Sequence, residues 1–129
     1  MLRVLALLAA VAPAPAASAA PVPYRIDYTF RSTDPVTHLG DVSVKVTRRD
    51  ADQIVFQMPA WYPGRYAIYN FAANMQEVAA RCGDTLVDAP KRDKQTWVVR
   101  CPRAKAVTFS YRVFWNDLNG SMSQIDSTP

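Results

Sequence analysis

Ala106 to Trp115 reads AVTFSYRVFW, and its alternation decides the fold class. Val107, Phe109, Tyr111, Val113 and Trp115 fall on one side of an extended chain, the pattern of a strand with one face on a core. Upstream, Gln95 to Cys101 is a second strand, joined to the first through the turn Pro102-Arg103-Ala104-Lys105. Further back, Gln53 to Met58 alternates with Ile54, Phe56 and Met58 inward, and Asp41 to Arg48 with Val42, Val44 and Val46 inward. Arg49-Asp50-Ala51-Asp52 is a tight turn between them. Tyr24 to Arg31 sets Tyr24, Ile26, Tyr28 and Phe30 against Arg25, Asp27, Thr29 and Arg31, as a half-buried strand does. Short strands separated by turn signals predict an all-β fold, an antiparallel β-sandwich of about seven strands.

The segment Phe71 to Arg81, FAANMQEVAAR, is ambiguous. Its residues are good helix formers, and Gly83 stands where a helix C-terminal cap would. It also reads as one helical turn at Phe71–Asn74 followed by a strand from Gln76 to Cys82, with Val78, Ala80 and Cys82 on one face. The all-β surroundings favour the strand, which is the reading adopted.

Residues 1–20 have the order of an export signal: Arg3, the apolar run Val4 to Val11, then an Ala/Pro-rich stretch ending in Ala17-Ser18-Ala19. The run is too short to span a bilayer. The alternative is an alanine-rich cytosolic N-terminus. A mature N-terminus near Ala20 or Pro21, and a periplasmic or extracellular location, are expected. Residues 21–120 make one domain, and 121–129 a linker towards a following domain.

The two cysteines, Cys82 and Cys101, both lie in the mature chain at the ends of predicted strands. An even count in an oxidising compartment points to a disulfide, the alternative being two free buried thiols. The net charge is +4, with basic residues scattered over turns: Arg48-Arg49, Lys91-Arg92, Arg103 and Lys105. A nucleic-acid protein would gather them on one face, so no nucleic-acid partner is expected. Nor is a membrane partner expected after signal cleavage.

Catalytic chemistry finds little to stand on. His38 is the single histidine and reads as an exposed loop residue. Two histidines four apart with a glutamate beside them, the zinc-peptidase arrangement, are missing. Two cysteines and one histidine cannot close a four-ligand zinc set without carboxylates. Four glycines build no phosphate-cradling loop. No metal site, cofactor or catalytic residue is assigned to this chain.

The distinctive segment is Trp61-Tyr62-Pro63-Gly64-Arg65-Tyr66. Pro63-Gly64 is a type II turn dipeptide, flanked by aromatics on both sides. Such a corner either plugs the end of a sandwich core or presents an aromatic surface to a ligand or neighbouring domain.

Gln57 to Val78, QMPAWYPGRYAIYNFAANMQEV, resembles the N-terminal domain of the glycyl aminopeptidase family of zinc metallopeptidases, peptidase family sixty-one. Asp93–Val99 (DKQTWVV), Val107–Trp115 and Asn116–Pro129 (NDLNGSMSQIDSTP) agree with it. The resemblance implies a β-sandwich that precedes a thermolysin-like zinc domain, and it supports the strand at Gln76–Cys82. The zinc ligands and the catalytic glutamate belong to that following domain, so the chain alone is expected to be catalytically silent. Trp61, Pro63, Gly64 and Tyr66 match the motif. With Tyr62 they are the candidates for contact with the catalytic domain or with peptide substrate in its cleft. The family's common form has small or charged residues where this chain has Arg65, Tyr69 and Asn70, so substrate preference is not carried over. The alternative function is a free-standing secreted binding module, with Trp61, Tyr62, Tyr66 and Tyr69 as a platform for peptide or carbohydrate. Trp61 or Tyr62 is expected to be partly exposed, and the tail after Gly120 to lack stable strand pairing.

Overall fold

The computed structural model describes residues 24–32, 34–47, 51–61, 63–64, 66–103, 105–117 and 124–126. Residues 1–23, Thr33, Arg48 to Asp50, Tyr62, Arg65, Ala104, 118–123 and 127–129 lie outside the described residues. Within them are eight strands: β1 (Arg25–Arg31), β2 (Leu39–Thr47), β3 (Gln53–Gln57), β4 (Met75–Cys82), β5 (Thr85–Val87), β6 (Lys91–Asp93), β7 (Thr96–Arg100) and β8 (Val107–Phe114). They form two antiparallel sheets, one ordered β1-β2-β8-β4-β5 and the other β3-β7-β6. The fold is the expected all-β sandwich. Six of these strands are the ones read segment by segment from the sequence; the other two, β5 and β6, have three residues each. Lys-Arg-Asp in β6 has no apolar alternation to betray it.

Phe71 to Asn74 is a single 3-10 turn and Met75 to Cys82 a strand, so the ambiguity of this segment resolves against helix. Tertiary pairing overrides local propensity here: Ala80 lies opposite Phe109 and Cys82 opposite Val107. The register of β4 slips between Gln76 and Ala79, and Glu77 takes a positive φ of 50° at this bulge.

The core sits between the β8–β4 half of the larger sheet and β7. Val107 and Val99 are wholly buried, with Phe109, Trp97, Ala80, Cys82 and Cys101 beside them. Phe109 is the centre: Phe56 stacks on it at 4.5 Å and Trp97 lies 5.6 Å away at a tilt. Each buried aromatic contributes roughly 1.5–3 kcal/mol through area removed from water. Cys82 and Cys101 form the expected disulfide, with Cα atoms 5.6 Å apart. It fastens the end of β4 in one sheet to the residue after β7 in the other.

The larger sheet is wider than the sheet that covers it. β1 pairs with β2 so that Ile26, Tyr28 and Phe30 stand on the core side, level with Val46, Val44 and Val42. Yet Ile26 is 49% exposed, Tyr28 74% and Phe30 55%. The expected inward face of this strand is therefore correct in direction but uncovered. Phe30 packs there on Trp115, ring centres 5.3 Å apart, over Gly40.

The C-terminal segment returns to the domain. Gln124 bridges Asn116, and the Ile125 N–H donates to the Trp115 carbonyl at 3.1 Å. His38 Nδ1 meets the Ile125 carbonyl at 2.6 Å. One expectation changes accordingly: His38 is a half-buried fastener rather than an exposed loop residue. In the tail, Gln124 makes an isolated bridge to Asn116, outside any strand.

Candidate functional site

The turn motif sits on a long connection between β3 and the 3-10 turn at Phe71. Its base is fixed at both ends. The Met58 N–H donates to the Gln95 carbonyl at 2.9 Å, and the Tyr69 N–H donates to the Ala60 carbonyl at 2.8 Å. Tyr69 stacks on Phe71 at 5.2 Å, and Ala72 just beyond is buried in the core. The Ala60–Tyr69 bond closes residues 61–68 into a projecting loop.

Pro63 and Gly64 form the turn, as their chemistry predicts, with Gly64 at φ +94°. A Cβ at Gly64 would meet nothing within 4 Å, so the demand for glycine is conformational rather than steric. Trp61 is half exposed, Ile68 is 80% exposed, and Tyr66 is fully exposed. The loop thus has a half-buried root and exposed apolar side chains at Trp61, Tyr66 and Ile68. Of the sequence candidates, Trp61, Pro63, Gly64 and Tyr66 are brought onto one loop, while Tyr62 lies outside the described residues. Ile68 is an addition that the turn motif did not single out. The readable signal for it was an apolar residue two beyond the motif.

Beside the root of this loop lies an apolar cleft of about 230 Å³, open towards the uncovered face of β1. Tyr28, Val44, Met58, Met75, Trp97 and Tyr111 line it. Burial pushes the Tyr111 hydroxyl above its usual pKa, with Tyr28 adding to the effect. It is one of the few polar side chains of the cleft, with Tyr28 and Gln57.

The opposite face of the larger sheet carries an ionic cluster. Arg112 Nε donates to Asp41 at 2.7 Å, and its Nη1 to Glu77 at 3.3 Å. Its side-chain bond to Asp41, with the charge of Glu77, raises the pKa of Arg112. Both carboxylates are committed to the one guanidinium. The cluster ties β2, β8 and the β4 bulge together. Among the described residues no three His, Cys, Asp or Glu side chains gather as a metal site would require.

Comparison with known proteins agrees with this architecture. The family described as Peptidase M61 N-terminal domain matches residues 27–129. The solved structure of an aminopeptidase N family protein from Idiomarina loihiensis is similar at a TM-score of 0.70 and 25% identity. The match covers 79% of this chain and 17% of that one. No curated protein matches the chain.

Proposed function

Because the chain belongs to the Peptidase M61 N-terminal domain family, we propose that it serves as the non-catalytic leading domain of an exported zinc aminopeptidase, packing on the catalytic domain and walling one side of its substrate cleft. The observation that carries this reading is the loop at residues 61–68. Its root is hydrogen-bonded and packed, yet Trp61, Tyr66 and Ile68 face solvent. Large exposed apolar side chains gathered on one anchored loop are what a surface that meets a partner presents. The adjoining cleft would extend that contact. Zinc and the catalytic glutamate would come from the catalytic domain, and this chain would be inactive alone. The Cys82–Cys101 disulfide is compatible with an oxidising compartment, and the signal-like order of residues 1–20 supports export.

The test is co-expression with a zinc catalytic domain of the same peptidase family. The wild-type chain should co-purify with it. Trp61→Ala with Tyr66→Ala should weaken the complex about ten-fold or more, as loss of aromatic anchors does. Both residues are exposed, so the fold should survive. Unchanged co-purification of the folded double variant would remove the loop from the interface. The binding-module reading is tested on the same variants with peptides and oligosaccharides. In that reading Tyr69, stacked on Phe71 at 5.2 Å, stands at the root of the platform.

A further inference from the structure

β1 is a free sheet edge of unusual bareness. One side pairs with β2 over seven residues without a register shift. The other side has no strand neighbour among the described residues. Edge strands are normally protected by charged side chains, proline, a bulge or brevity. β1, RIDYTFR, has no proline, bulge or brevity, and its three charges all stand on one face. Its core-side face leaves Ile26, Tyr28 and Phe30 about half exposed or more. Its outer face carries Arg25, Asp27, Thr29 and Arg31.

We propose that β1 pairs antiparallel with β1 of a second copy of this chain, about a two-fold axis at Thr29. Charge selects the register. Centred on Thr29, Asp27 stands opposite Arg31 of the second copy, and symmetry repeats the pair. Tyr28 then stands opposite Phe30 of the second copy, again twice. Directly opposed unlike charges and aromatic pairs are both favourable across an antiparallel ladder. Centring on Tyr28 would oppose Arg25 and Arg31, and centring on Asp27 would oppose two aspartates. Centring on Ile26 would run the ladder onto Pro21 and Pro23, which carry no N–H. Asp27 accepts from Arg25 Nε at 3.0 Å within its own strand. A carboxylate has further lone pairs for a second guanidinium. The paired edges would join two five-stranded sheets into one continuous sheet and cover the exposed rings of β1 with each other. The interface uses no residue of the Trp61–Tyr66 loop and shares only Tyr28 with the cleft beside it.

Sedimentation velocity of the purified protein over a concentration series tests this. The wild type should form a reversible dimer. Asp27→Arg should raise the dissociation constant about ten-fold or more, because two attractive oppositions become two repulsive ones. Adding Arg31→Asp to that variant should restore dimerisation, since the swap recreates both pairs. Tyr28→Lys, at a 74% exposed position, should also abolish the dimer while circular dichroism stays that of the folded protein. A wild type that remains monomeric overturns the proposal. So does a dimer that Asp27→Arg leaves intact, or a charge swap that fails to restore it.

Discussion

His38 Nδ1 lies 2.6 Å from the carbonyl oxygen of Ile125, so that nitrogen carries the proton and donates. His38 also holds a left-handed backbone, φ 56°, at the end of the Pro35–Thr37 turn, and its carbonyl accepts from the Trp115 N–H at 2.8 Å. The ring meets Phe114 edge-on at 6.1 Å. One residue therefore fastens a loop, the end of β8 and the returning C-terminal segment. His38→Ala should lose the side-chain bond and retain the unfavourable φ, costing about 1–2 kcal/mol. His38→Asn, which tolerates this backbone region, should cost less. Urea unfolding measures both, and faster amide exchange at Ile125 in His38→Ala would locate the loss.

The disulfide joins the two sheets across 19 residues of sequence and is buried at both ends. In the chain-entropy description a loop of this length is worth about 3 kcal/mol. Cys82→Ala with Cys101→Ala should lower the unfolding free energy by about that amount. Non-reducing peptide mapping of the wild type should return one linked pair, and two alkylatable thiols in oxidised protein would contradict it.

Asp93 lies in the tight turn between β6 and β7, where its carboxylate accepts the Gln95 N–H at 3.0 Å. That bond, with the charge of Arg92 assisting, holds its pKa below the ordinary 3.8. A depressed carboxylate pKa stabilises the fold above the unfolded value, and the benefit disappears as pH falls through the folded value. Stability should therefore decline below about pH 4 in part through this group, and Asp93→Asn should flatten that decline. Carboxyl NMR titration gives the site directly, and an Asp93 midpoint at or above 3.8 would be inconsistent with the turn geometry.

The strands with period-two patterns were all legible: β1, β2, β3, β7 and β8 follow their apolar alternation to within a residue or two. What the sequence could not convey was coverage. Ile26, Tyr28 and Phe30 look like core residues because alternation reports which face a residue takes, not whether another sheet reaches it. β6 escaped notice because three polar residues carry no period, and it exists through its partner Trp97 rather than its own composition. At the site, Pro63-Gly64 was readable from turn chemistry alone. The anchoring of its loop through Ala60 and Tyr69 was not, because a backbone bond across nine residues leaves no mark in side-chain type. His38 was misjudged for the same reason: its partner is a backbone carbonyl 87 residues away.

Gly40 and Gly64 are both glycines that should resist substitution, for different reasons that separate experimentally. Gly40 is buried in β2, and a Cβ there would stand 2.5 Å from Trp115 Cζ3 and 2.6 Å from Phe30 Cε2. Both atoms belong to rings packed on each other, so accommodation means pushing that pair apart. Gly40→Ala should cost about 1–3 kcal/mol as an overpacking defect, and it should shift the fluorescence of Trp115. Trimming the obstructing ring with Phe30→Leu in the same chain should recover part of that loss, because the two sites share one space. Gly64→Ala meets no neighbour but must adopt φ +94°, which costs an L-residue on the order of 1 kcal/mol. No second-site trimming should relieve that strain. A Phe30→Leu change that rescues both alanine variants equally would show that the Gly40 effect is not local packing.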